Sequence, residues 1–336
     1  MGPQCAVVAQ NHDAVLRHGV AMTNPAGVDK TAFIDAPQAA RWTARHASLT
    51  FNQLAADWPA CGVNETGLAI VALPHDLPLP EVADSGPAIN EWQWLQYQLD
   101  RWGSVDEVLA ALGEPVLAPR QQTLHYLVAD AGGHCAIVEF QHDVLRALKP
   151  RKLCGCSEVD YQQAVAHARR YDALEPQQVR AGQAALERGA KAMLLARRFM
   201  ESEVKPDAIA YAFEGLHELR QRPGWAARVA GVGQGARAAQ TVWQVVFDLR
   251  RPAVHFRNRH QKGIVVLDLR DLNLTRCTVL DLDRPVAGRP AFRPCSSDVN
   301  AALVQASFKA DRALSAEDEA ALIGAREGSL TLEEET

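Results

Sequence analysis

The chain predicts an α+β layered domain with mostly antiparallel sheets. Three observations lead there. Strand-like runs fill the opening and the later part of the sequence, helix formers fill the middle, and Gly-marked tight turns join neighbouring runs into hairpins. Its 336 residues, 48% of them hydrophobic, are enough for one large core or two medium ones.

Residues 5–75 read as strands and turns. Ala6-Val7-Val8-Ala9 is a short apolar run, and Val20-Ala21-Met22-Thr23 runs into the turn signal Asn24-Pro25-Ala26-Gly27. Leu49-Thr50-Phe51 is a further strand. Leu68 to Leu73 is apolar throughout, as a strand covered on both faces must be. Pro74, Pro78 and Pro80 then open a loop. A helix is expected over 89–101, where Trp92, Leu95, Gln96 and Leu99 recur at helical spacing; Trp92 and Trp94 face different sides of it. Ser104 and Glu107 form a capping box for a second helix that ends at Gly113. Strands over 124–129 and 135–140 flank Asp130-Ala131-Gly132-Gly133, where Gly supplies the positive φ of a hairpin turn. Helices over 161–171, 177–201 and 207–222 follow, with Pro176 and Pro206 near two of their starts. After a Gly- and Ala-rich loop over 223–240 come a second hairpin, 242–247 with 253–257, and one more strand, 263–269. The acidic residues 333–336 read as a frayed tail.

The net charge of −5 gives no electrostatic reason to expect nucleic acid, and no basic run suggests a membrane surface. No apolar stretch approaches a membrane span. Met1-Gly2-Pro3-Gln4 is neither basic nor followed by an apolar segment, so the chain as written is expected in the cytoplasm, and in the periplasm or outside the cell if a signal peptide lies upstream. The 7 cysteines are scattered and odd in number, which argues against a disulfide framework. Cys154-Gly155-Cys156 is the one close pair, and no second Cys/His pair stands at zinc-ligand spacing; the 11 histidines form neither HExxH nor HxH. No metal and no cofactor are expected.

Several segments in order carry a family resemblance. They are Trp42 to Gln53, Gly62-Val63-Asn64-Glu65-Thr66-Gly67-Leu68-Ala69-Ile70, Ile89 to Asp100, the hairpin Leu124 to Asp130 with Ile137 to Phe140, Asp207 to Glu214, and Trp243 to Asp248 with Val254 to Arg257. Together they resemble the linear amide C–N hydrolases of the choloylglycine hydrolase and penicillin V acylase family, from about residue 9 to about residue 283. The resemblance implies an αββα N-terminal-nucleophile (Ntn) hydrolase sandwich: two antiparallel sheets face to face between two helical layers. It places one such domain over 1–325 and an acidic tail over 326–336. In that family a cysteine at the mature N-terminus attacks an amide. Its own α-amino group, which titrates near neutrality, takes the thiol proton, and nearby donors hold the oxyanion.

Carried over position by position, Gln10-Asn11-His12-Asp13 resembles the family's Arg/Gln/Lys-Asn/Thr-x-Asp motif. Asp13 then orients the nucleophile, and Gln10 stands where bile-salt hydrolases have arginine. The family's oxyanion asparagine corresponds to Pro74, which has neither amide side chain nor N–H, and its later asparagine falls near Gly155 or Cys156. The late arginine falls near Gln234 and Gly235, with Arg237 the nearby candidate. A nucleophile strand, a turn and a return strand need roughly 12 residues or more. Cys5 lies eight positions before Asp13, so spacing puts it on the return strand and the family's cysteine upstream of Met1. The plainer reading of Cys5 is a small core residue, and that of Asn64 and Glu65 a structural turn. His12 and His75 are read as able to approach each other, and His12 with Asp13 as an acid–base pair, against the blander reading of satisfied histidines.

Two functions follow. One is a cysteine-nucleophile hydrolase of linear N-acyl amides (bile-salt, penicillin V or acyl-amino-acid type), with Asp13, Gln10 and Cys5 as catalytic candidates. Pro74, His75 and Arg237 would bind substrate, its acyl group lying between loops near 15–25 and 74–88. The other is a catalytically degenerate member serving as a binding or structural module. The expected partner is a small N-acyl amide, with no nucleic acid or membrane. Without its first strand the sheet has an unpaired edge, which invites a homo-oligomer.

Overall fold

Alternation along the strands sorts apolar side chains into an inward and an outward set, and two antiparallel sheets result. The computed structural model describes residues 6–15, 18–34, 39–82, 86–150, 154–171, 184–204, 206–220, 239–286 and 288–308. Its strands begin with β1 (Val7–Ala14), β2 (Val20–Asn24), β3 (Asp29–Thr31), β4 (Arg41–Thr43), β5 (Ser48–Asn52), β6 (Pro59–Asn64), β7 (Ala69–Pro74) and β8 (Ala88–Ile89). They continue with β9 (Val116–Leu117), β10 (Leu124–Ala129), β11 (Cys135–Gln141), β12 (Val144–Leu148), β13 (Gln240–Asp248), β14 (Ala253–Asn258), β15 (Val265–Asp268), β16 (Thr278–Asp281) and β17 (Arg293–Pro294). The helices are α1 (Glu91–Arg101), α2 (Val105–Ala110), α3 (Tyr161–Tyr171), α4 (Ala184–Glu201), α5 (Ala208–Leu219) and α6 (Ser297–Phe308).

One sheet has four strands in the order β1-β13-β14-β15. The other has nine, β12-β11-β10-β7-β6-β5-β2-β16-β17, and all described pairings in both sheets are antiparallel. Between them lies a core drawn from both: Leu49, Phe51, Val63 and Val71 face Val8, Trp243, Val245 and Phe247. On the outer face of the nine-stranded sheet α1 packs Trp94, Leu95 and Leu99 against Ile70, Tyr126 and Val138. α6 adds Val299 and Leu303 over Val20, Met22 and Val279. On the outer face of the smaller sheet α5 sets Phe213 and Leu216 on Val246. The order is helix, sheet, sheet, helix, the αββα sandwich expected. No helix among the described residues is long and apolar enough to cross a membrane.

Local chemistry explains the elements that frame the site. Asn90 caps α1, accepting from the Trp92 and Gln93 amides, and buried Glu91 accepts from the amides of Arg120, Gln121 and Gln122, tying the loop ahead of β10 to the helix. Gly62 lets α1 approach: a Cβ there would stand 2.8 Å from Leu99 Cδ1. Asn64 is wholly buried; its amide donates to Leu99 O and Trp102 O, and its Oδ1 accepts from the Thr66 and Leu68 amides. Glu65 accepts from the Ala47 amide. Both are structural, as the turn reading expects.

The hairpins stand where expected, with Gly133 at φ 83° in the β10–β11 turn. Helix α2 ends at Ala110, short of Gly113, and Trp92 and Trp94 are both buried because sheet and loops enclose α1. Strands β12 and β16 and helix α6 were not anticipated. Val20–Asn24 is a fully buried strand, as its run ahead of the turn signal predicts, and so does not belong to the loop expected near 15–25 beside an acyl pocket. Cys154 is bridged to Cys135, so the close cysteine pair is divided. Residues 177–183, Pro176 and most of the 223–240 loop lie outside the described residues.

Candidate active site

The even-numbered residues of β1 point between the sheets and the odd ones toward α5. Gln10 crosses the interface, its Nε2 donating to Ala72 O at 3.1 Å. His12 Nε2 donates to Gln53 Oε1 at 3.0 Å, and its ring stacks on Trp243 with centroids 4.1 Å apart. Burial lowers His12 to about 4, against the opposing pull of the Gln53 hydrogen bond, so the ring is neutral. The register slips between His12 and Asp13, and this irregularity re-aims the Asp13 carboxyl. That carboxyl accepts from Thr241 Oγ1. Burial lifts it to about 6; the Thr241 hydrogen bond and the charge of Arg188 oppose the lift, while the charge of Glu158 adds to it. Arg188 is itself paired with Glu158, Nη2 to Oε1 at 2.7 Å. His12 and Asp13 thus have separate partners and form no acid–base pair.

The end of β7 closes the other side. Pro74 pairs in register with Leu124, and beyond it the His75 amide donates to Thr123 O and the Asp76 amide to Glu158 O, both at 2.9 Å. Gln10, on Ala72 O, and Asp13, within the fields of Glu158 and Arg188, thus lie toward the end of β7 that carries Pro74 and His75. Cys5 and Arg237 lie outside the described residues. Gly155 lies against α4, where a Cβ would stand 3.2 Å from Met193 N. The Cys156 thiol is pushed up to about 12, by burial and then by the charges of Glu139 and Glu158, and stays protonated at neutral pH.

His75 does not meet His12. It stacks on His125, with ring centroids 4.8 Å apart and 10° between the planes. The inward residues of β7, β10 and β11 run Ala69, Val71 and Leu73, then Leu127 and Ala129, then Cys135, with Ile137 opposite Leu127. Continuing that alternation brings His75, His125 and Glu139 onto the same inward face. His125 Nδ1 is 3.4 Å from Glu139 Oε2, which also accepts from the Tyr161 amide, while Gln141 Nε2 donates to Oε1. Burial lowers His75 to about 4, helped by the charge of His125 and opposed by Glu139 and Asp76. Burial alone would raise Glu139, but hydrogen bonds from His125 and Gln141 hold it below the usual carboxylate range.

Sequence reasoning missed Thr241, Glu158, Arg188, His125 and Glu139. A signal existed for the last two: each is a polar residue at an inward position of an otherwise apolar strand, Leu124-His125-Tyr126-Leu127 and Ala136-Ile137-Val138-Glu139-Phe140.

Residues 53–191 match the sequence model of the linear amide C–N hydrolases, choloylglycine hydrolase family, so the resemblance read from the motifs is borne out. Among solved structures the chain is similar to penicillin V acylase from Agrobacterium tumefaciens, with TM-score 0.73 and 19% identity, covering 88% of this chain and 96% of that one. It is also similar to a variant of the conjugated bile acid hydrolase from Clostridium perfringens, with TM-score 0.65 and 16% identity, over 86% and 93% of the two chains. At these identities the structural likeness shows the shared fold. No curated protein sequence matches.

Proposed function

With that family match as premise, we propose that the chain hydrolyses linear amide C–N bonds of small N-acyl amides through a cysteine nucleophile. The observation that carries the reading is Asp13, which the Gln10-Asn11-His12-Asp13 motif likens to the family aspartate and which lies with Gln10 on β1. Among the described residues β1 pairs only with β13, leaving its second edge for the strand that brings the nucleophile. On this reading the cysteine is Cys5 or a residue ahead of it, and Asp13 accepts from its amine. An anion there holds the amine in place while the thiolate attacks.

The test starts from protein isolated from its native source, read for N-terminal residue and intact mass and assayed on penicillin V, conjugated bile acids and N-acyl amino acids. The expected result is a free N-terminal cysteine and amine release that alkylation abolishes. Asp13→Asn is expected to cut turnover by roughly 100-fold with the fold intact. A mature chain without an N-terminal cysteine, turning over none of the three classes, sinks the reading.

A second reading, a binding or structural module, is favoured by Pro74, which removes a side-chain oxyanion donor where hydrolysis needs one. In either case the open edge of β1 suits strand addition by a second copy of the chain, which makes a homo-oligomer part of the proposal.

A further inference from the structure

Three side chains far apart in the sequence, His75, His125 and Glu139, meet between the sheets with less than 10% of each exposed to solvent. One ligand atom from each lies within 4.8 Å of the other two. Both ring nitrogens of His75 and Nε2 of His125 are buried and have no hydrogen-bond partner among the described residues. Leaving a buried polar nitrogen unpaired costs on the order of 1–3 kcal/mol, and one nitrogen of each ring can address a common ligand, so these rings mark a site shaped for something else. No lysine or arginine pairs with Glu139 among the described residues; its side-chain partners are His125, Gln141 and Asp160.

From this geometry we propose that His75, His125 and Glu139 bind a divalent first-row transition metal ion, Zn2+ being the reference case. Two imidazoles and a carboxylate are the donor set borderline cations take, and three protein ligands leave a fourth position open. The spacing agrees. Ligands at about 2.1 Å in a tetrahedron stand about 3.4 Å apart. The His125 Nδ1 to Glu139 Oε2 separation is 3.4 Å, long for a charge-assisted hydrogen bond but right for two ligands of one ion. His75, with neither ring nitrogen taken by a hydrogen bond among the described residues, has a nitrogen free to ligate. A dication also answers the carboxylates gathered here, since Glu139 and Asp76 act on His75 and Asp160 shares a hydrogen bond with Glu139. The proposal does not depend on amide hydrolysis, and its test does not read activity.

The full chain is stripped with a chelator and titrated with Zn2+ by calorimetry and with Co2+ by visible absorption. The expected outcome is one ion per chain, tetrahedral Co2+ bands, and a higher melting temperature with Zn2+. Glu139→Gln and His75→Gln should each weaken binding by roughly 100-fold, while His134→Ala, on an exposed histidine outside the cluster, should not change it. If the variants fail to fold, X-ray absorption of the native Zn2+ form decides. A shell of nitrogen and oxygen with imidazole scattering upholds the assignment; sulfur in the shell overturns it, placing the ion on cysteine. No binding above background, or binding that Glu139→Gln leaves unchanged, overturns it too.

Discussion

At the scale of single residues, Asp13 carries the clearest pH dependence. Its carboxyl titrates at about 6 in the folded chain against an ordinary 3.8, chiefly because of burial. The folded state therefore holds this proton more tightly than the unfolded one. The contribution is complete below pH 3.8 and is lost as pH rises through 6. Asp13→Asn keeps an acceptor for Thr241 and cannot ionise. It should raise the melting temperature at pH 7.5, by the equivalent of about 1–3 kcal/mol, and leave it unchanged near pH 3.5. Thermal scans at the two pH values check this, and a lower melting temperature at pH 7.5 would mean the carboxylate is a net stabiliser. Because amide hydrolysis on the proposed reading needs the Asp13 anion, the same substitution trades turnover for stability.

At the scale of elements, the β6–β7 hairpin locks the two sheets together. Gly67 has φ 86°, and a Cβ there would stand 2.1 Å from Leu249 O in the turn between β13 and β14. Two costs add in Gly67→Ala: a left-handed backbone that alanine resists, and a collision with backbone that cannot swing aside. The expected loss is about 2–5 kcal/mol, read from the urea midpoint. A loss under 1 kcal/mol would mean that the two turns separate freely. Such a turn was legible in Asn64-Glu65-Thr66-Gly67, since only glycine suits that conformation, and Asn64 was rightly read as structural. That Leu249 is what Gly67 touches was not legible, because the partner lies 182 positions away.

At the scale of the molecule, β1 is an edge strand among the described residues. Unpaired N–H and C=O groups along an edge template association. Sedimentation over a range of concentrations should show reversible self-association, and Ala9→Lys, placing a charge on an exposed β1 position, should shift it toward monomer. A monomer that melts cooperatively at ordinary temperature would mean that other residues of the chain cover this edge.

The local pattern of the sequence determined the hairpins, the helices of the middle segment, the caps at Asn90, Ser104 and Asp207 and the family likeness, because each depends on residues within a few positions of one another. The tertiary structure alone decided which side chains share the space between the sheets. Antiparallel register carries His75 to His125 and Glu139, and Asp13 to Thr241, Arg188 and Glu158, across separations that no spacing motif records. It also paired Cys135 with Cys154 and placed α6 on the outer face of β2 and β16. A scan for metal ligands looks for donors close in sequence. Here the sheet assembles them from three strands, with an alternation that is visible in each strand and a meeting point visible in none.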